Sequence, residues 1–152
     1  GTIHNEFRLW RLTPAPEVVK LPPFLQYGAA LTFSNDNRYI AVANHYGVEA
    51  IVYDFTDNSA YQANTHYELF GAQAFDPTAK LLIQSTYSDA QPDPLVRIRE
   101  ISRNEQIALI NPPGDAKIDQ FAFSHNGKLL VMLMDEWNSP VSELHLWGIP
   151  TR

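Results

Sequence analysis

The chain has 152 residues, enough for one hydrophobic core, and its apolar content of 45% and charged content of 18% exclude disorder by composition. The formal net charge of −6 argues against nucleic acid, since phosphate binding needs a basic surface. No cysteine is present, which excludes disulfides and thiolate zinc sites, and no apolar run reaches membrane-spanning length. We therefore expect a soluble protein without membrane insertion, in a compartment that composition leaves open.

The first predicted element is a strand at 5–12, where apolar and polar residues alternate with the period of two that favours a half-buried strand. Similar segments, which also predict strands, return at 48–55, 94–101 and 142–149, and the alternation is again clear in the segment that ends at Trp147. Equivalent positions in these four segments are Trp10, Tyr53, Arg99 and Trp147, separated by 43, 46 and 48 residues. This spacing predicts a repeat.

A second pattern lies between these segments and begins at Phe33, Phe75 and Phe123, which are 42 and 48 residues apart. Each phenylalanine is followed by a polar turn, a basic residue five positions later, and an apolar run. Turns rich in Asn, Asp, Pro and Gly favour hairpins. Strands a are therefore predicted at about 29–34, 69–75 and 117–123, strands b at 38–43, 80–85 and 128–134, and outer strands d near 17–21, 60–66 and 105–110.

About four strands in a unit of roughly 45 residues correspond to one blade of a β-propeller. Within the predicted b strands, the runs 39–43, 81–83 and 129–134 are apolar at consecutive positions, which suits strands covered on both faces. The predicted fold is all-β, with about three to three and a half blades of four antiparallel strands. Residues 1–152 form one segment, with a blade end at 1–21 and repeats at about 22–66, 67–110 and 111–152.

These repeats resemble degenerate WD40 repeats over nearly the whole chain, with a TolB-like propeller as the alternative family. No unit has the Trp-Asp dipeptide of the family, and Tyr53-Asp54 comes closest to it. The resemblance places His66, Ser85 and Asp93 at the family's histidine, strand-b serine and tight-turn aspartate. It implies that these three residues form a structural hydrogen-bonded network rather than a catalytic triad.

The b–c and d–a loops of a propeller share one face, and loops on a rigid scaffold commonly carry binding function. Each predicted b–c loop has an aromatic residue 12 to 14 positions after its phenylalanine, and two of the loops add carboxylates. The predicted partner face consists of Phe24, Tyr27, His45, Tyr46, Tyr87, Asp89, Asp135, Glu136 and Trp137. Two interpretations stay open: these rings bind a basic or amphipathic peptide, or they wedge between blades as satellite core.

The resemblance implies a non-catalytic protein-interaction scaffold whose partner is a protein or peptide. No catalytic residue, cofactor or metal site is predicted, since the histidines show no metal-ligand spacing and no nucleophile motif occurs. The alternatives are the non-catalytic propeller portion of a larger hydrolase or peptidase, and a self-assembling propeller fragment. Because the chain begins and ends with a predicted c strand, we expect another copy or the rest of a parent chain to complete the ring.

Overall fold

A computed structural model of the chain describes residues 9–11, 17–19, 30–43, 50–62, 69–88, 91–112, 117–135 and 142–148. These residues contain thirteen strands and no helix. Within the described part of the chain, therefore, no helix exists that could cross a membrane. The prediction of an all-β fold is confirmed.

The strands form four antiparallel sheets in which sequence neighbours pair. The entry hairpin consists of β1 (Leu9–Arg11) and β2 (Glu17–Val19). Sheet 1 consists of β3 (Ala30–Phe33), β4 (Tyr39–Ala43), β5 (Ala50–Asp54) and β6 (Ser59–Gln62). Sheet 2 consists of β7 (Leu69–Phe75), β8 (Leu81–Ser88), β9 (Gln91–Glu100) and β10 (Glu105–Ile110). Sheet 3 consists of β11 (Lys117–Phe123), β12 (Leu129–Asp135) and β13 (Ser142–Gly148).

The turn between the first two strands has the same hydrogen-bond pattern in all three sheets. In sheet 1 the Ser34 amide donates to the Tyr39 carbonyl at 3.0 Å, and the Ser34 hydroxyl accepts from the Tyr39 amide at 2.8 Å. Ser124 and Asp76 occupy the equivalent position in sheets 3 and 2, where the backbone amide donates and the side-chain oxygen accepts in the same way. One residue of each turn takes a left-handed φ, namely Asn37 (59°), Ala79 (56°) and Gly127 (69°). The predicted hairpin turn is thus confirmed in each repeat.

The sheets stack face to face in chain order. We call the face toward the following sheet the front face and the opposite one the rear face. The rear face of sheet 1 packs on Leu9 of the entry hairpin through Ile40, Val42, Ile51 and Tyr53. Its front face packs on sheet 2 in a cluster of Tyr39, Ala41, Ala43, Ala50, Val52, Phe75, Ala79, Leu82 and Ile101. The front face of sheet 2 packs on sheet 3 in a cluster of Ile83, Val96, Ile118, Phe121, Leu130, Met132 and Met134.

The first strands of the three sheets lie next to one another at the inner edge of the stack. Strand β7 contacts both β3 and β11, whereas the later strands of each sheet follow outward in chain order to β6 and β10. Each sheet is open rather than closed into a barrel. Sheets that share an inner edge and extend outward in this way are arranged like the blades of a propeller.

The prediction that the central strands are covered on both faces is correct for β4 and wrong for β12. All five residues of β4 are buried between the entry hairpin and sheet 2. In β12 only the rear-facing residues Leu130, Met132 and Met134 are buried, and Leu129 is exposed. The physical reason is that the described residues place no sheet in front of sheet 3.

A pair of glutamines links sheet 2 to the backbone of sheet 1. The Gln73 side-chain amide donates to the carbonyl oxygens of Ala30 at 3.0 Å and Ala41 at 2.9 Å. The buried Gln84 amide donates to Gln73 Oε1 at 3.3 Å. Since backbone carbonyls of β3 and β4 are fixed points, these bonds set how the two sheets align.

Asp54, the last residue of β5, is a buried carboxylate with several donors. Arg38 donates to Asp54 Oδ2 from Nε at 2.9 Å and from Nη2 at 2.7 Å. The Thr56 amide and hydroxyl donate to Oδ1 at 2.8 and 2.6 Å. Burial raises the pKa of Asp54, but the hydrogen bonds from Arg38 and Thr56 together lower it further, so its pKa lies below the ordinary value.

We predict that Asp54 makes the free energy of unfolding depend on pH at the acid end. Because its folded-state pKa is depressed, its contribution is complete above the ordinary carboxyl pKa and is lost as pH falls through the folded-state value. Asp54→Asn should lower the free energy of unfolding at pH 7 by about 1 kcal/mol, given the half-exposed arginine, and the deficit should vanish in strong acid.

Urea unfolding of both proteins from neutral to strongly acidic pH measures this difference. Glu100→Gln is the matched control, because Glu100 is the equivalent residue of sheet 2 and its ion pair with the exposed Arg103 spans 3.7 Å. A constant Asp54→Asn deficit at every pH would contradict the assignment.

Two tyrosines of sheet 1 differ in how their hydroxyls are satisfied. The Tyr53 hydroxyl donates to Asn58 Oδ1 at 2.9 Å. The Tyr61 hydroxyl is buried beside the cluster between sheets 1 and 2, and no described residue hydrogen-bonds to it. Burial raises the pKa of Tyr61 well above its ordinary value.

We predict opposite results for the two phenylalanine substitutions. Tyr53→Phe should lower the free energy of unfolding by about 1 kcal/mol, because Asn58 loses its donor. Tyr61→Phe should leave it unchanged within about 0.5 kcal/mol or raise it, because a desolvated hydroxyl is removed. Thermal and urea unfolding measure both, and a larger loss for Tyr61→Phe than for Tyr53→Phe would show that the Tyr61 hydroxyl has a partner.

Candidate protein-interaction surfaces

Most of the predicted partner face lies outside the described residues. This applies to Phe24, Tyr27, His45, Tyr46, Asp89, Glu136 and Trp137, and to His66 of the predicted structural network. Tyr87 and Asp93 lie in β8 and β9, and their side chains are also outside the description. Ser85 and Asp135 are the two predicted site residues whose side-chain surroundings are described.

The strand ends that carry the b–c loops follow one edge of the stack. Strands β4, β8 and β12 are the second strands of sheets that stack in chain order, and each pairs with the next strand across its loop. The connecting residues are 44–49 in sheet 1, 89–90 in sheet 2 and 136–141 in sheet 3. The strand ends that flank these connections of six, two and six residues therefore lie along a shared edge.

The second of these connections is shorter than the sequence predicted. A loop was expected over 86–93, but residues 86–88 belong to β8 and 91–93 belong to β9. Thr86 pairs with Leu95 and Ser88 pairs with Gln91, so the intervening residues of β9 form a bulge that contains Asp93. Proline lacks an amide donor and is tolerated at bulges, which explains how the sequence Pro92-Asp93-Pro94 fits within a strand.

Asp135 ends β12 at the start of the third connection, within a small polar cluster. It is the register partner of Lys117, whose Nζ lies 2.6 Å from Oδ1 of Asp119. Hydrogen bonds from Lys117 and then with Asp135 lower the pKa of Asp119. Asp135 Oδ1 is buried, and no described residue hydrogen-bonds to it. Two carboxyl groups and one ammonium group thus lie together where this connection begins.

Ser85 is buried where sheet 2 meets sheet 3. Its hydroxyl donates to the Ala72 carbonyl at 3.3 Å, which joins β8 to β7. A methyl group on Gly71 would lie 2.7 Å from Ser85 Oγ and 3.1 Å from the Ile118 carbonyl oxygen of β11. Glycine at 71 therefore allows β7 and β11 to approach, and Ser85 fills the space beside it. The predicted link of Ser85 to His66 and Asp93 stays a prediction.

Both ends of the stack carry exposed apolar side chains. On the front face of sheet 3, Leu144 is 72% exposed, Leu146 65% and Leu129 41%. On the rear face of the entry hairpin, Trp10 and Val18 are register partners and are 51% and 52% exposed. Contiguous exposed apolar surface of this kind marks interaction sites.

The residues of these end faces were not among the predicted site residues, although an alignment of the repeats could have identified them. Leu144 and Leu146 align with Ala50 and Val52 of the first repeat, which the following sheet buries. Counting the faces that the stack leaves without a neighbour would have identified them.

Within the described residues, no three His, Asp or Glu side chains cluster closely enough to hold a metal ion. The chain matches no protein-family model, and a search of curated proteins found no significant match. The repeat itself, in sequence and in structure, is thus the basis for assigning an architecture.

We predict that Gly71→Ala lowers the free energy of unfolding by about 2 kcal/mol, because the added methyl group displaces β7 from β11. Gly148→Ala is the matched control, since a methyl group there meets no atom within 4 Å, and it should change stability by less than about 0.5 kcal/mol. Urea unfolding measures both variants. In a Ser85→Ala background the cost of Gly71→Ala should fall, and equal costs in the two backgrounds would contradict the contact with Ser85.

Proposed function

We propose that this chain is a non-catalytic protein-interaction scaffold built of WD40-like blades. The observation that carries the proposal is the shared edge at which three repeats of one framework are joined by connections of different sequence, with six residues at 44–49, two at 89–90 and six at 136–141. A rigid framework with variable loops at one edge is the arrangement that binding proteins use.

The rigidity of the framework supports this proposal. The a–b turns at the opposite edge satisfy their own backbone groups through Ser34, Asp76 and Ser124. Buried faces and the amide bonds of Gln73 fix sheet 2 against sheet 1. Because the a–b turns lie at the edge opposite the b–c connections, those connections can differ in sequence without changing the turns.

Charge supports a basic or amphipathic peptide as the partner. The chain has a net charge of −6, and the carboxyl groups of Asp119 and Asp135 lie at the start of the third connection. Lys117 already pairs with Asp119, so the electrostatic attraction to a basic peptide comes mainly from the net charge of the chain. Complementary charge accelerates encounter and selects partners, whereas aromatic anchors such as Tyr87 and Trp137 supply affinity.

The test starts with selection of peptides from a random library on the immobilised chain. We expect enrichment of basic or amphipathic sequences. Calorimetry on one selected peptide should show Trp137→Ala and Tyr87→Ala to weaken binding by at least about tenfold each, as expected for interface anchors.

Ile107→Ala is the matched control, because Ile107 is an exposed apolar residue of the outer strand β10. This variant should bind the peptide with the same affinity as the unsubstituted chain. Circular dichroism checks that each variant keeps its strands. Selection of acidic or random sequences, or unchanged affinity in both aromatic variants, would remove the b–c edge as the binding surface.

A further inference from the structure

The front faces of the three sheets are equivalent position by position. Strand alternation and register place the same set of positions on each front face. These positions are Tyr39, Ala41, Ala43, Ala50 and Val52 in sheet 1, Leu81, Ile83, Ser85, Val96 and Ile98 in sheet 2, and Leu129, Val131, Leu133, Leu144 and Leu146 in sheet 3. All five of these positions are apolar on the front face of sheet 3.

Equivalent residues differ sharply in exposure. Ala50 of sheet 1 and Val96 of sheet 2 are 1% and 0% exposed, whereas Leu144 at the same position of sheet 3 is 72% exposed. The first two are covered by the rear face of the following sheet. Sheet 3 therefore carries the kind of face that, twice in this molecule, binds the rear face of another sheet.

The rear face that would fit is present at the other end of the chain. Trp10 occupies the position of Tyr53 and Trp147, and both of those rings pack rearward within their stacks. Val18 lies beside Trp10, while Leu9 on the opposite face already packs on sheet 1. Trp10 is thus a rear-face ring with no described sheet behind it. In a single copy both the rear face of the entry hairpin and the front face of sheet 3 are exposed, so the two faces of one copy do not cover each other.

We infer that the front face of sheet 3 binds the rear face of the entry hairpin in a second copy of this chain, head to tail. The interface would continue the stacking already seen between sheets 1, 2 and 3. The described part of each copy has four sheets, if the entry hairpin is counted as one of them, so two copies together have eight. Closed propellers have about four to eight blades, and eight sheets fall within that range. Head-to-tail contacts of this kind form a ring when the rotation closes. This surface is distinct from the b–c edge, so failure here leaves the proposed peptide binding untouched.

The experiment measures the mass of the full chain in solution by sedimentation equilibrium and native mass spectrometry. We expect twice the mass of one chain. The front variant Leu144→Glu/Leu146→Glu and the rear variant Trp10→Glu should each weaken association by at least about tenfold. Leu109→Glu is the matched control, because Leu109 is an exposed leucine of β10, away from both ends, and its mass should stay that of two chains.

Mixing separates head-to-tail from head-to-head association. An equimolar mixture of the front and rear variants retains one intact interface, front of one copy on rear of the other, and should recover the two-chain mass. The inference would be overturned by any of three results: the unsubstituted chain is monomeric, the rear variant associates as tightly as the unsubstituted chain, or the mixture stays monomeric. Masses that grow without limit as concentration rises would overturn closure by two copies. Circular dichroism confirms that the variants, all at exposed positions, keep their strands.

Discussion

A sheet that is apolar on both faces is stable in water only between two neighbours, and this constraint shapes the molecule. The central strand of sheet 1 is buried along its whole length because the entry hairpin covers one side and sheet 2 the other. Sheet 2 also has an apolar front face, where Ile83 and Val96 pack against sheet 3. Stacking is therefore a consequence of composition in the b and c strands, and the chain order of the repeats becomes the spatial order of the sheets.

Apolar burial has no direction, so other groups have to set how the sheets align. Gln73 does this between sheets 1 and 2 by donating to two backbone carbonyls of the neighbouring sheet. Between sheets 2 and 3 the restraint is steric, since Gly71 leaves room for the Ile118 carbonyl and for Ser85. The two interfaces of sheet 2 thus use different chemistry at the inner strand, where the repeats differ in sequence.

The sequence was sufficient to predict the strands and their turns, because both depend on short-range patterns. The polar turn after Phe33 and Phe123 contains its own hydrogen-bonding groups, so its conformation can be inferred from five residues. The left-handed conformation of Ala79 could be inferred only by alignment with Asn37 and Gly127. What could not be predicted depends on distance in the chain: Gln73 reaches a carbonyl 43 residues away. For the b–c aromatics, spacing along the chain does not determine whether a ring binds a partner or packs between blades.

The turns and the stacked faces also determine how the molecule unfolds. Each turn is satisfied within its own repeat, so the coupling between repeats resides in the faces that adjacent sheets share. Such a stack behaves as a one-dimensional cooperative array, in which a terminal unit opens at the cost of one interface and an internal unit at the cost of two. Sheets 1 and 2, each packed between two neighbours, should then exchange their amide protons more slowly than the entry hairpin and sheet 3, which are the terminal units of the stack.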